Sequence, residues 1–202
     1  IRGDVETVVQ NIELHKNHRF PLEACALGGS VGTNGAITAK VVKVEGIEDL
    51  EKVDPALLKG AIVFYNKPMD KAKINTFEAY GGCVSQRYWG ASEASKYGAV
   101  AVLVRSLTTL TDDFPHTGSM DYKDGVKKIP AAALSTKAAD QLEEYIEDFG
   151  EATLTINLNC YNKGSIKTSN VIGEIKGSEN PEQIIVFGAH IDSWDKGEGA
   201  HD

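Results

Sequence analysis

"AIVFY" at residues 61–65 and "AVAVLV" at residues 99–104 decide how this chain is read. Each is an unbroken apolar run of strand length, the first bounded by Gly60 and by Lys67-Pro68. Runs of this kind belong to strands buried on both faces, as in parallel sheets covered by helices. Between them, residues 76–97 carry a helical pattern interrupted at Gly81-Gly82 and Gly90. Ala91, Ala94 and Ser95 give that pattern one small face, able to lie close against a sheet. Strand, helix, strand in this order predicts a parallel βαβ unit.

Working outward, "IPAAAL" (129–134) is another strand, and residues 138–149 read as a helix. Leu142, Tyr145, Ile146 and Phe149 share one face of that helix, and Gly150 stands at its end. Residues 152–160 alternate, with Ala152, Leu154, Ile156, Leu158 and Cys160 on one side. Towards the amino terminus, "ITAKVVKV" (37–44) mostly alternates and precedes a short polar helical stretch at 48–52. "VETVVQNIEL" (5–14) is β-branched and reads as a strand, after which Pro21 and Gly28-Gly29 break the pattern. Residues 106–128 are polar, irregular and long enough to suggest function. Beyond a linker-like stretch at 162–169, strands are expected at 170–175 and 183–188, flanking a turn at Gly177–Pro181. The expectation is a mixed α/β chain in three parts: a lead-in (1–27) on the side of a second domain, a compact domain (28–162), and the opening of that second domain (163–202).

Composition bounds the rest. With 42% hydrophobic and 25% charged residues, the chain has the make-up of an ordinary globular protein. Its net charge of −8 offers no basic stripe for nucleic acid or anionic lipid. No apolar run approaches the roughly 18 residues of a membrane span, and the first residues do not form a signal peptide. Cys25, Cys83 and Cys160 are too scattered for a zinc ribbon and read as buried thiols.

The chemistry gathers at "IIVFGAHIDSWDKGEGAHD" (184–202), where an apolar run delivers His190 and Asp192 at a strand's carboxyl end, the edge where open α/β sheets place ligands. Residues two apart in a strand face the same way, with α-carbons about 6.5–7 Å apart. Asp192 can thus reach the far ring nitrogen of His190, fix its tautomer and leave the other nitrogen for a cation. Asp202 lies beyond a turn loosened by Gly197 and Gly199 and can return to the same point. Within 106–128, "PHTG" (115–118) reads either as a solvated loop with His116 capping a turn, or as a loop over a pocket where His116 or Tyr122 touches substrate. No GxSxG, P-loop or nucleotide fingerprint occurs.

"GAHIDSWDKGEGAHD" resembles the first metal motif of the di-zinc exopeptidase superfamily. "GAIVFYNKP" (60–68), "EASKYGAVAVLVRS" (93–106) and "PHTGSMDYKDGVKKIPAAALS" (115–135) resemble the protease-associated domain inserted in such enzymes, a domain of strands and two main helices. The resemblance implies that His190 ligates one Zn2+, that Asp202 bridges two, and that Asp192 orients His190. Two zincs roughly 3.5–4 Å apart would activate a water and polarise a terminal peptide bond. It further implies a general base and more ligands downstream, so this chain alone is expected to hydrolyse no peptide. Short peptides are the implied substrates, a homodimer is one assembly open to the full-length enzyme, and the setting is secreted, periplasmic or lumenal. His201 departs from the family pattern, which has methionine there. A second reading is a non-catalytic binding module, because protease-associated domains also occur in receptors.

Overall fold

The computed structural model describes residues 6–8, 12–14, 18–162, 164–165 and 167–193, the positions before Pro21 through their backbone alone. The chain divides into two compact units, with the boundary between Asn162 and Lys163.

The first unit is built on a nine-stranded sheet. Its core is β5 (Ile37–Val44), β6 (Ile62–Tyr65), β7 (Ala101–Arg105) and β8 (Ala131–Leu134), paired in parallel in that order. The register sets Val63 beside Val42 and Val102, and Val104 beside Tyr65 and Ala133. Alternation along β6 sends Ile62 and Phe64 to one face, Val63 and Tyr65 to the other, and all four are buried. That is why the run is apolar without a period.

Helix α5 (Thr136–Phe149) covers the first face through Ala138, Ala139, Leu142 and Tyr145. Ser135 caps its start by accepting from the Ala138 N–H at 3.0 Å, and Gly150 ends it with φ of 79°, a left-handed turn that favours glycine. The other face takes a 3-10 turn (Ile47–Lys52), α1 (Pro55–Leu58) and α4 (Gly90–Lys96), through Leu50, Leu58, Ala91 and Ala94. Two shorter helices, α2 (Thr76–Gly81) and α3 (Val84–Tyr88), precede α4, so the single helical pattern is cut at the glycines that the sequence marks. Gly90 is required for close approach: a Cβ there would sit 2.7 Å from the Tyr65 ring, whose hydroxyl donates to the Gly90 carbonyl at 3.0 Å.

In the lead-in, the described parts of the strand expected at 5–14, β1 (Glu6–Val8) and β2 (Ile12–Leu14), both pair antiparallel with β9 (Thr153–Asn159), residues 9–11 lying outside the described residues. β3 (His18–Phe20) pairs with β2, and β4 (Ala24–Ala26) with β8. Residues assigned by sequence to the second domain's side therefore contribute four strands to this sheet. Strands of three residues carry no readable period, so only their ladders reveal them.

In the second unit, the runs expected as strands at 170–175 and 183–188 have no ladder partner among the described residues. Phe187 is 93% exposed, and Ile172, Ile185 and Val186 are exposed with it. Apolar sequence supplies only a preference; a strand also needs neighbours for its N–H and C=O groups. The expected turn is present nearby, closed by the Gln183 N–H donating to the Asn180 carbonyl at 3.0 Å.

Candidate functional site

His190 and Asp192 follow the second apolar run. The Asp192 carboxylate lies 3.0 Å from His190 Nδ1, and both side chains are open to solvent, at 67% and 83% exposure. That hydrogen bond is the leading reason why the Asp192 carboxyl is held below the ordinary aspartate range. With Nδ1 engaged, Nε2 is the ring atom that Asp192 does not occupy, and a carboxylate on one imidazole nitrogen strengthens the other as a donor to a metal. An imidazole so oriented fits zinc chemistry. Asp202, His201 and Trp194 lie outside the described residues. Among the described residues no three His, Cys, Asp or Glu side chains converge on a point that could hold a metal.

The long loop of the first unit is pinned along its length. Gly28 N–H donates to the Gly118 carbonyl at 2.8 Å, Met120 N–H to the Gly28 carbonyl at 2.9 Å, and the Thr117 hydroxyl to the Ala26 carbonyl at 2.7 Å. His116 Nε2 is 3.2 Å from Asp112 Oδ2, while the His116 N–H donates to the Ser106 hydroxyl at 2.8 Å. Asp112 is anchored in turn, its own N–H donating to the Thr136 hydroxyl at 2.8 Å. His116 is thus half-buried, oriented by a carboxylate and carried on a fixed backbone.

Tyr122 is committed differently. Its hydroxyl donates to the Ile129 carbonyl at 2.7 Å and accepts from the Val31 N–H at 3.1 Å, stitching the loop's base to two other segments. Burial pushes the phenol above the usual tyrosine value. Cys25 and Cys83 are buried and Cys160 half-buried, and desolvation raises the thiols of Cys83 and Cys160. Thiols raised in this way are inert, in line with their reading as small hydrophobes.

One cluster has no counterpart in the sequence reading. Arg87 on α3 meets Tyr80 on α2 and Gly118 in the loop, and Gly118 lies too far along the sequence for any spacing rule to join it to the other two. The only trace is the glycine itself, at a place where a side chain could not fit.

Comparison with known proteins bears on both units. Residues 170–202 match the family model "Peptidase family M28". Carboxypeptidase Q of Bos taurus is 33% identical over all 202 residues, and that of Homo sapiens 34%, the chain spanning 40% of each. Carboxypeptidase Q of Xenopus laevis is 37% identical over 90% of this chain and 37% of its own length. A crystal structure of a Peptidase M28 precursor from Shewanella amazonensis superposes with a TM-score of 0.82 at 32% identity, over 97% of this chain and 45% of that one. The chain spans about 40% of the length of the curated relatives it matches. In sequence over its whole length, in fold and in its terminal motif, this chain is similar to carboxypeptidase Q and to the M28 peptidases.

Proposed function

We propose that this chain carries a protease-associated domain, up to about Asn162, and the opening of the catalytic domain of a zinc-dependent exopeptidase. The reading rests on one observation above the others: Asp192 on His190 Nδ1 at 3.0 Å, inside the stretch that matches the M28 family. His190 would ligate zinc through Nε2, Asp192 would hold the ring in that tautomer, and Asp202 would bridge two ions. Zinc, when bound, acidifies a water and polarises the scissile carbonyl. His116, oriented by Asp112 on a fixed loop, would be the group of the first unit that touches substrate. Tyr122 serves that loop by holding its base. The substrates are short peptides cut at a terminal bond, and the setting is secreted, periplasmic or lumenal.

The test uses the full-length protein and an unblocked dipeptide. Asp192→Asn keeps the shape and a hydrogen-bonding group but removes the charge, a change that typically costs about 10–100-fold in metal affinity or activity. His190→Ala should cost more, and Asp202→Ala the most, because a bridging carboxylate holds both ions. Excess zinc should partly restore Asp192→Asn alone. If Asp192→Asn is as inactive as Asp202→Ala in excess zinc, Asp192 is itself a ligand or a reacting group, and the assignment of roles is wrong.

A further inference from the structure

Among the described residues, Asn34 alone has a left-handed backbone without being glycine, at φ of 52°, and Gly35 after it stands at 116°. The two form the only Asn-Gly pair in the chain. They top a short link whose ends are both fastened to β9. At one end the Thr33 N–H donates to the Leu158 carbonyl at 2.9 Å, and the Leu158 N–H to the Thr33 hydroxyl at 3.0 Å. At the other end β5 begins, with Ile37 opposite Ile156. Asn34, Gly35 and Ala36, between these anchors, are exposed, and a Cβ on Gly35 would meet nothing within 4 Å. No described group bonds to the Asn34 carboxamide or to the Gly35 N–H. Other asparagines are held: buried Asn66 accepts from Arg105 at 3.1 Å, and Asn75 caps α2 by accepting from the Phe77 N–H at 3.0 Å.

We infer that Asn34 is a self-modification site, at which the chain converts its own carboxamide into aspartate and isoaspartate with water as the only co-reactant. The Gly35 nitrogen, on losing its proton, attacks Asn34 Cγ. The N–Cγ bond forms, the Cγ–Nδ2 bond breaks, and ammonia leaves with a proton. Water then adds to either carbonyl of the cyclic imide. Opening at Cγ gives aspartate; opening at the backbone carbonyl gives isoaspartate, with the chain rerouted through Cγ. Glycine puts no Cβ in the way of its own nitrogen and leaves the chain free to turn. Rotating the peptide between Asn34 and Gly35 breaks no hydrogen bond, and it frees Asn34 from a conformation costly to residues with a Cβ. The isoaspartate product has one more carbon in its main chain, about 1.5 Å of added path. With Thr33 and Ile37 both held against β9, three residues have to absorb it, so the Thr33 bonds give way. The aspartate product keeps the original path.

The 202-residue chain is aged in mildly acidic and in mildly alkaline buffer, folded and in guanidinium, and peptide mapping scores every asparagine as unchanged, aspartate or isoaspartate. In the folded chain, position 34 should convert ahead of all others, including the exposed Asn170 before Val171, with both products present and a faster rate in alkali. Its rate should lie within about tenfold of the rate in guanidinium, because an unbonded surface link opens at almost no cost. Asn34→Gly, which suits the left-handed backbone, should remove the converted species. In the aged 15N-labelled chain, the isoaspartate form should exchange its Thr33 N–H about tenfold or more faster than Asn34→Asp does. Conversion in guanidinium but not in the folded chain, aspartate without isoaspartate, or Asn170 keeping pace with Asn34 would overturn the site. Equal Thr33 exchange would overturn the fastening of the link to β9. Turnover enters none of these readouts, which stand apart from the peptidase reading.

Discussion

Tyr122→Phe separates a structural tyrosine from a substrate-binding one. The substitution keeps the ring, and with it the Lys128 ammonium 5.4 Å from the ring centre, but deletes an oxygen bonded at 2.7 Å to the Ile129 carbonyl and at 3.1 Å to the Val31 N–H. Each bond is worth about 0.5–1.5 kcal/mol net, and a buried group left unpaired costs about 1–3 kcal/mol. Ile129 is 1% exposed, so water cannot replace the phenol at its carbonyl, whereas Val31 is only half-buried and regains part of its loss. A total of about 2–3 kcal/mol follows, which for a unit of this size lowers the unfolding midpoint by roughly 4–12 °C. Circular dichroism melts of the 202-residue chain measure it. An unchanged midpoint, together with a raised KM for the full-length enzyme, would refute the structural role and return Tyr122 to the substrate.

Three further outcomes follow from the same contacts. Gly90→Ala gains up to about 1 kcal/mol of helix propensity but drives a methyl to 2.7 Å from the immobile Tyr65 ring. Overpacking of this kind costs about 1–3 kcal/mol, so the melt should shift downward, and a stabilised variant would contradict the packing described. Burial raises the phenols of Tyr65 and Tyr122, and Lys43 is also raised, its desolvation being outweighed by the hydrogen bond to Glu143 and the charges of Glu143, Glu147 and Glu45 together. These groups keep their protons longer folded than unfolded, so their stabilisation is whole below about pH 10 and is lost as pH climbs through the raised values. The urea midpoint should therefore fall between pH 9 and 11, and a flat profile would count against those assignments. Limited proteolysis should cut first between Asn162 and Ser169, at the boundary of the two units, leaving a resistant fragment that ends near Asn162. First cuts inside β7 would contradict that boundary.

Burial on both faces made the centre of the fold legible. β6 and β7 announce themselves because Val63 and Leu103 have apolar surroundings on both faces of the sheet, while β5 shows through its alternation and the long α5 through the one apolar face that carries Leu142. The lead-in was illegible because β3 and β4 have three residues each, and a ladder between Cys25 and Ala133, 108 positions apart, leaves no local signal. In the second unit the apolar pattern around Ile184–Phe187 is clear, but a pattern does not supply the partner strands. His190 and Asp192 were legible together because a two-residue spacing fixes their geometry. The Arg87, Tyr80 and Gly118 cluster was not, because helix α3 and a distant loop meet only in the folded chain.

The most direct measurement is zinc content and dipeptide turnover of the full-length protein, wild type beside His190→Ala, after a chelator and again after zinc is restored. Wild type should lose turnover with its metal and regain it on return, while folded His190→Ala should hold less zinc and stay inactive throughout. A folded His190→Ala protein with wild-type zinc and wild-type turnover would show that the imidazole held by Asp192 is not part of the metal site.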